Sequence, residues 1–233
     1  MEKSNNISAK PGEVIAGRYE LVRLLGVGAA GSVFEARDRL LKGARVALKF
    51  LHPSLTANET AVARFTNEAL ITRELTHPGI VQVFDFGKTD LGNYFLVMEF
   101  VDGRTLKEFI AKHPAGVPFG EAISYIRQFA DALTVAHEHG VAHRDLKPEN
   151  ILLSESGVLR IGDFGVAKQE QLLGADLTKQ GEVFGTVRYM APEQLFSRPS
   201  DVRADIFSFG LICYELLTGD IPWSITAPGE LAR

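Results

Sequence analysis

The octet His143-Arg144-Asp145-Leu146-Lys147-Pro148-Glu149-Asn150, followed at once by Ile151, Leu152 and Leu153, limits most sharply what this chain can fold into. Four of its eight side chains are charged. Charged groups pressed against an apolar strand are rarely packing alone, so they point to a site. Eighteen residues after Asp145 stands Asp163-Phe164-Gly165, a second carboxylate beside a glycine that lets the backbone turn sharply. Two acidic groups and an Asn amide in this order suit one task, holding metal ions and a substrate hydroxyl at a polyphosphate.

Upstream, Gly26-Val27-Gly28-Ala29-Ala30-Gly31 has G-x-G-x-x-G spacing, which fits a dinucleotide-binding turn as well as a hairpin over phosphates. The dinucleotide version runs into a helix, whereas Val33, Phe34, Glu35, Ala36 and Arg37 read as a strand. The glycines are therefore expected in a hairpin, where backbone N–H groups can close over phosphates. Residues 45–51 alternate into a third strand carrying Val46-Ala47-Leu48-Lys49. A lysine in such a strand ordinarily snorkels to solvent. The next element argues otherwise. Residues 56–75 read as a helix, with Thr56 and Glu59 at capping-box spacing. Phe65, Glu68, Thr72 and Leu75 recur at three and four, which places Glu68 on the inner stripe and in need of a cation, with Lys49 the candidate.

Beyond His77-Pro78-Gly79 the pattern predicts strands over 80–87 and 93–100, with a reversal at Asp102-Gly103. Thr105 and Glu108 again have capping-box spacing. A helix over 120–139 is expected to carry Ile123, Ile126, Ala130, Leu133 and His137 on one face, with Gly140 as its stop. His137 and His139 lack Cys or carboxylate at ligand spacing and read as surface or capping residues. Residues 151–153 and 158–161 form a predicted hairpin, and 205–217 an apolar helix ended by Thr218-Gly219.

These motifs resemble those of the eukaryotic-like serine/threonine protein kinases, of which the bacterial members often share the Ala191-Pro192-Glu193-Gln194 run. The resemblance covers about 19–223 and implies an α+β, bilobal protein-kinase-like fold, with a small antiparallel sheet and one major helix in the first lobe and a mainly helical second lobe. The implied division is a mobile N-terminal tail over 1–18, an N-lobe over 19–100 and a C-lobe over 101–233 that lacks its last helices. The implied chemistry is transfer of phosphate from ATP, with Mg²⁺, to Ser or Thr hydroxyls of protein substrates, with autophosphorylation. Asp145 would orient the hydroxyl and take its proton, and Lys147 would steady the γ-phosphoryl. Asn150 and Asp163 would hold the metal, while Glu68 would aim Lys49 at the α- and β-phosphates. Gly26, Val27, Gly28, Gly31, Val33, Ala47, Lys49, Met98 as gatekeeper, Glu99, Val101 and Leu152 would receive the nucleotide. His143 would pack beneath Phe164, and Asp205 would brace the octet from below or else serve only as a first-turn carboxylate. Arg144 would gather a phosphate on the activation segment, with Thr178 the phosphosite and Thr186 near Asp145 and Lys147.

Composition narrows the alternatives. A net charge of −4 over 233 residues argues against broad binding to nucleic acid or to anionic membranes. The lone Cys213 excludes an internal disulfide framework and fits a reducing, cytoplasmic setting. No apolar run has the length of a membrane span. Small-molecule phosphotransferases share part of the logic but usually lack the Ala-Pro-Glu run. A pseudokinase scaffold without turnover stays open, because the family's final helices are missing. Their absence leads to the expectation of an unpartnered Glu193, exposed apolar helix faces and self-association.

Overall fold

The computed structural model describes residues 9–28, 31–52, 56, 58–164, 187–196 and 198–223, apart from the side chains of Arg64 and Glu68. The chain divides into two compact units, Met1–Glu74 with Gln82–Phe100, and Leu75–Val81 with Val101–Arg233.

Among the described residues the first unit is built on a six-stranded antiparallel sheet and one long helix. Its strands are β1 (Val14–Ile15), β2 (Tyr19–Gly28), β3 (Gly31–Asp38), β4 (Ala44–Leu51), β5 (Val83–Lys88) and β6 (Tyr94–Glu99), in the order β1-β2-β3-β4-β6-β5. Alternation sorts the side chains by face. Leu21, Phe34, Ala36, Val46, Leu48, Phe50, Phe95 and Val97 form the core on one side. Edge-to-face contacts such as Phe34 on Phe50, at 5.8 Å, interlock the strands there. The opposite side presents Val33, Glu35, Ala47, Lys49 and Met98. Helix α1 (Glu59–Glu74) buries Phe65, Ala69 and Thr72 and sets Phe65 against Phe86 at 6.0 Å.

Three details differ from the sequence reading. The span 1–18 contributes a strand, since Val14 and Ile15 pair with Glu20 and Tyr19 and Ile15 is buried. A two-residue strand is too short to show period-2 alternation in sequence. Thr56 is helical, but the continuous helix α1 starts at Glu59, after a break where Asn58 Oδ1 accepts the Ala61 amide in the N-cap manner. Strand β5 starts at Val83, three residues late, because Ile80 is diverted into a parallel bridge with Ile161.

The second unit packs a small sheet against helices. Strands β7 (Gly103–Thr105), β8 (Ile151–Ser154) and β9 (Leu159–Ile161) are antiparallel in that order. Helix α2 (Leu106–Ile110) starts with the predicted capping box, Thr105 with Glu108. Helices α3 (Phe119–Glu138), α4 (Pro192–Leu195) and α5 (Val202–Thr218) follow, with a 3₁₀ turn at Pro148–Asn150. Gly103 is required where it stands, because an added Cβ would lie 1.9 Å from the Leu153 carbonyl oxygen.

The buried face of α3 is displaced from the predicted one. Ala122, Tyr125, Phe129, Ala132, Leu133 and Ala136 face the core, while Ile123, Ile126 and His137 are half-buried. Alanines let α3 lie close to its neighbours, and the bulkier β-branched residues are set at the margin. On α5, Ile206, Tyr214 and Leu217 are exposed apolar side chains. No helix among the described residues is long and apolar enough to cross a membrane.

Candidate active site

The octet follows α3 and ends in the 3₁₀ turn, and its backbone is held by one carboxylate from α5. Asp205, on the first helical turns after the N-cap Asp201, is 1% exposed. Its Oδ2 accepts the His143 amide at 2.7 Å, and its Oδ1 accepts the Arg144 amide at 2.7 Å. His137 Nε2 adds a third contact to Oδ2 at 2.9 Å. A carboxylate that binds backbone N–H groups spends no side-chain entropy on its partners, and charge-assisted bonds of this kind are strong. Arg144 itself has φ of 63°, in the left-handed region, which costs a non-glycine residue about 1 kcal/mol or more. Its carbonyl accepts Gln194 Nε2 at 2.8 Å, so the strained residue is fixed from both ends.

His143 is fully buried and works as a bridge. The Asp145 amide donates to its Nδ1 at 3.2 Å, which makes Nδ1 an acceptor. The ring proton of the neutral imidazole is then on Nε2, which donates to the Gly162 carbonyl at 2.9 Å. Burial lowers the pKa of this imidazole, although the charges of Asp205, Asp145 and Asp163 act in the opposite sense. The ring packs on buried Phe164 with centroids 4.8 Å apart. The octet is thus tied to the turn that contains Asp163, whose φ of 54° is also left-handed.

Two polar side chains of the octet converge on Asp145. Asn150 Nδ2 donates to the Asp145 carbonyl at 2.9 Å and to its Oδ2 at 3.1 Å. Lys147 Nζ lies 3.3 Å from the same Oδ2. The Asn150 carbonyl receives the Gly162 amide at 2.8 Å, a second link to the Asp163 turn. Glu149 turns away and pairs with Lys107 at 2.7 Å. Leu152, on β8, is half-buried next to this group in sequence, and Val101 is half-buried at the start of the second unit's main segment.

The other predicted residues belong to the first unit. Gly26, Val27 and Gly28 end β2 and Gly31 begins β3, with Gly28 opposite Gly31 in a hairpin as expected. Gly31 has φ of 146°, and a Cβ there would run into the Phe50 carbonyl. Val33 pairs with Lys49, Lys49 with Leu96, and Ala47 with Met98. Lys49 is 6% exposed and engaged, not snorkelled. Glu99 closes the β4–β6 ladder opposite Val46. Gly165, Thr178, Thr186 and the Glu68 side chain lie outside the described residues.

Two residues of this network were missed from sequence. His137, read as a surface or capping residue, is instead a partner of buried Asp205, 68 positions away. Gln194 appeared only as part of a motif, yet it clamps Arg144 and also accepts the Ala191 amide through Oε1 at 3.0 Å. Its position three after Ala191, as in a capping box, is a signal that could have found the second contact. On the same side, Ser208 donates to the Tyr189 carbonyl and Tyr189 to Glu215, each at 2.7 Å. Burial raises the pKa of both Tyr189 and Glu215. Glu193 is half-buried on α4, and its charge acts on Arg203. Burial pushes the Cys213 thiol up to about 12, so it is inert.

A braced loop with a carboxylate, an ammonium and an amide at one point, followed by a strained Asp, defines a protein of the kinase class. Residues 19–231 match the protein kinase domain, and the chain belongs to that family. It is 41% identical over 212 residues to the probable serine/threonine-protein kinase PknB of Lactococcus lactis, covering 91% of this chain and 33% of that protein. It is 37% identical over 222 residues to the serine/threonine-protein kinase PknA of Mycobacterium tuberculosis, covering 94% of this chain and 51% of that one. The chain therefore spans a third to a half of these curated relatives. The crystal structure of the Mycobacterium tuberculosis PknI kinase domain is similar at a TM-score of 0.73 and 32% identity, over 94% of this chain and 80% of that one.

Proposed function

We propose that this chain transfers the γ-phosphoryl group of ATP to Ser or Thr hydroxyls of protein substrates, and that it phosphorylates itself. The observation that carries the reading is the convergence of Asn150 and Lys147 on Asp145 in a loop whose backbone is held by Asp205. Phosphoryl transfer needs positioning and charge stabilisation more than covalent work. Asp145 orients the attacking hydroxyl and receives its proton, and Lys147 sits where charge develops on the transferring group. The serine/threonine-protein kinases among the relatives support this substrate class.

The residues fit Mg²⁺. Asn150 commits its side-chain nitrogen to Asp145, so its side-chain oxygen would be the atom to hold the metal, and Asp163 would supply a second hard donor. Among the described residues no three His, Cys, Asp or Glu side chains gather into a metal cluster. This suits a cation held by one or two protein oxygens plus phosphates and water. When bound, Mg²⁺ offsets the negative charge of the phosphates. The nucleotide-binding assignments of Gly26, Val27, Gly28, Gly31, Val33, Ala47, Lys49, Met98, Glu99, Val101 and Leu152, and the pairing of Lys49 with Glu68, are part of the same proposal. Arg144 fits the capture of an activation-segment phosphate, since its Nε is buried with no partner among the described residues. The apolar residues Ile206, Tyr214 and Leu217 on α5 favour self-association.

The test is incubation with labelled ATP and Mg²⁺, reading autophosphorylation and transfer to a generic basic protein. Asp145→Asn is expected to lower turnover by roughly two to four orders of magnitude with nucleotide affinity nearly unchanged. Turnover within threefold of wild type would remove Asp145 from this role. Nucleotide binding without turnover in the wild type would favour a pseudokinase.

A further inference from the structure

Glu35 lies on the face of the first unit's sheet that also carries Val33, Ala47, Lys49 and Met98. It is directly opposite Ala47 in the β3–β4 ladder and only 6% exposed. A carboxylate so withdrawn needs cations, and two arginines supply them. Arg23 Nε, cross-strand on β2, is 2.7 Å away, and Arg45 Nε, on β4, is 2.9 Å away. The second arginine does more than pair. Its guanidinium carbon lies 4.0 Å from the centroid of the Phe100 ring, well inside cation–π range. The β4–β6 ladder ends at the Val46–Glu99 pair, so Phe100 is the first residue past the last ladder position. The stacked guanidinium is a contact that holds it, and Glu35 bonds that guanidinium from the side.

We infer that Glu35 and Arg45 are positioning residues for nucleotide binding, holding Phe100 and thereby the end of β6 at Glu99 in the geometry that receives the adenine. The inference rests on the kinase reading, which places the adenine contacts at Glu99 and Val101. Arg45 is four residues from Lys49 along β4, about 13 Å at strand rise. The two cations thus stand at opposite ends of the strand, and Arg45 has the stacking role, not the phosphate role. A planar guanidinium is needed for this, because an ammonium cannot both lie flat on the ring and bond sideways to the carboxylate.

The experiment measures ADP affinity by calorimetry, KM for ATP, kcat and thermal midpoint for wild type, Glu35→Gln, Phe100→Leu and Phe100→Tyr. Glu35→Gln and Phe100→Leu are expected to weaken ADP binding and raise KM for ATP roughly fivefold, with kcat within twofold of wild type. Phe100→Tyr keeps the ring and is expected to restore wild-type values. Arg18→Gln breaks a comparable pair on the same sheet, where Arg18 bonds Asp38 through Nε and Nη2. It should lower the thermal midpoint and leave KM alone, which separates positioning from general loss of stability. Unchanged KM in both Glu35→Gln and Phe100→Leu overturns the inference, as does a Phe100→Tyr protein shifted as far as Phe100→Leu. Should Glu35→Gln fail to fold, the two Phe100 variants decide it. In either case the kinase reading survives if wild type binds ADP and transfers phosphate. A wild type that does neither removes both.

Discussion

Asp205 in the second unit and Glu35 in the first are both withdrawn from water, at 1% and 6% exposure, but their surroundings differ in kind. Asp205 is met by two backbone amides and a histidine, and Glu35 by two arginine side chains that are 58% and 40% exposed. Backbone donors are fixed by the fold before the carboxylate arrives, so Asp205 locks the main chain of His143 and Arg144. Long side chains lose rotamer freedom on pairing and keep access to water, so Glu35 steers groups that retain an alternative. The first arrangement fixes where reacting groups stand, and the second adjusts where a neighbouring ring rests.

The comparison is tested most strongly by Asp205→Ala. Two buried amides would lose their acceptor, each at about 1–3 kcal/mol, and His137 would lose its partner. We expect a loss of about 3–5 kcal/mol in denaturant unfolding, the range for breaking a buried polar network. Turnover should fall more than KM rises, since Arg144 and Asp145 would be released together. A loss below about 1 kcal/mol would show that water or another donor set can replace Asp205, and the contrast with Glu35 would collapse.

A smaller effect is expected from pH at His143. Burial holds this imidazole below its ordinary value of 6.5, so the unfolded chain takes up a proton that the folded chain refuses. The sign follows directly: this contribution is fully present above pH 6.5 and is lost as pH falls below it, by up to about 1.4 kcal/mol per pH unit. His143→Phe keeps a ring against Phe164 but loses the bond to Gly162, so about 1 kcal/mol should go at neutral pH. The variant's stability should then fall less steeply than wild type below pH 6.5. Parallel slopes for the two proteins would mean that His143 is not the group that titrates.

How much of this could be read from the sequence depends on how local the cause is. The Thr105–Glu108 capping box, the glycine hairpin and the strand with Lys49 are decided within a few residues, and each stands where the pattern placed it. The octet was legible because four charges beside an apolar strand have few uses. The buried face of α3 was not, since alanine gives a weak hydrophobic signal and its burial depends on how closely neighbours approach. Nor was the pairing of His137 with Asp205, across 68 positions, or the reach of Gln194 to Arg144, across 50. Glu35, too, is one charge in an alternating strand until Arg23 and Arg45 come alongside.

The smallest expected effect belongs to Arg23→Gln, and it sharpens the contrast from the other side. Short of a backbone-altering proline, no side-chain substitution takes an amide from Asp205, but Glu35 can be relieved of one partner at a time. Arg23 is the more exposed of the two arginines, at 58% against 40%, and among the described residues it stacks on no ring. Its loss leaves Glu35 bonded to Arg45 at 2.9 Å, while water gains access from the side that Arg23 vacates. Exposed pairs of this kind contribute about 0–1 kcal/mol, and we expect a change of about 0.5 kcal/mol in denaturant unfolding. The pair should also weaken with added salt, because its charges are within reach of screening ions. A loss above about 2 kcal/mol, insensitive to salt, would mean that Glu35 depends on both cations as Asp205 depends on both amides. The two carboxylates would then be buried braces of one kind, and Arg45 alone could not be expected to hold Phe100 in place.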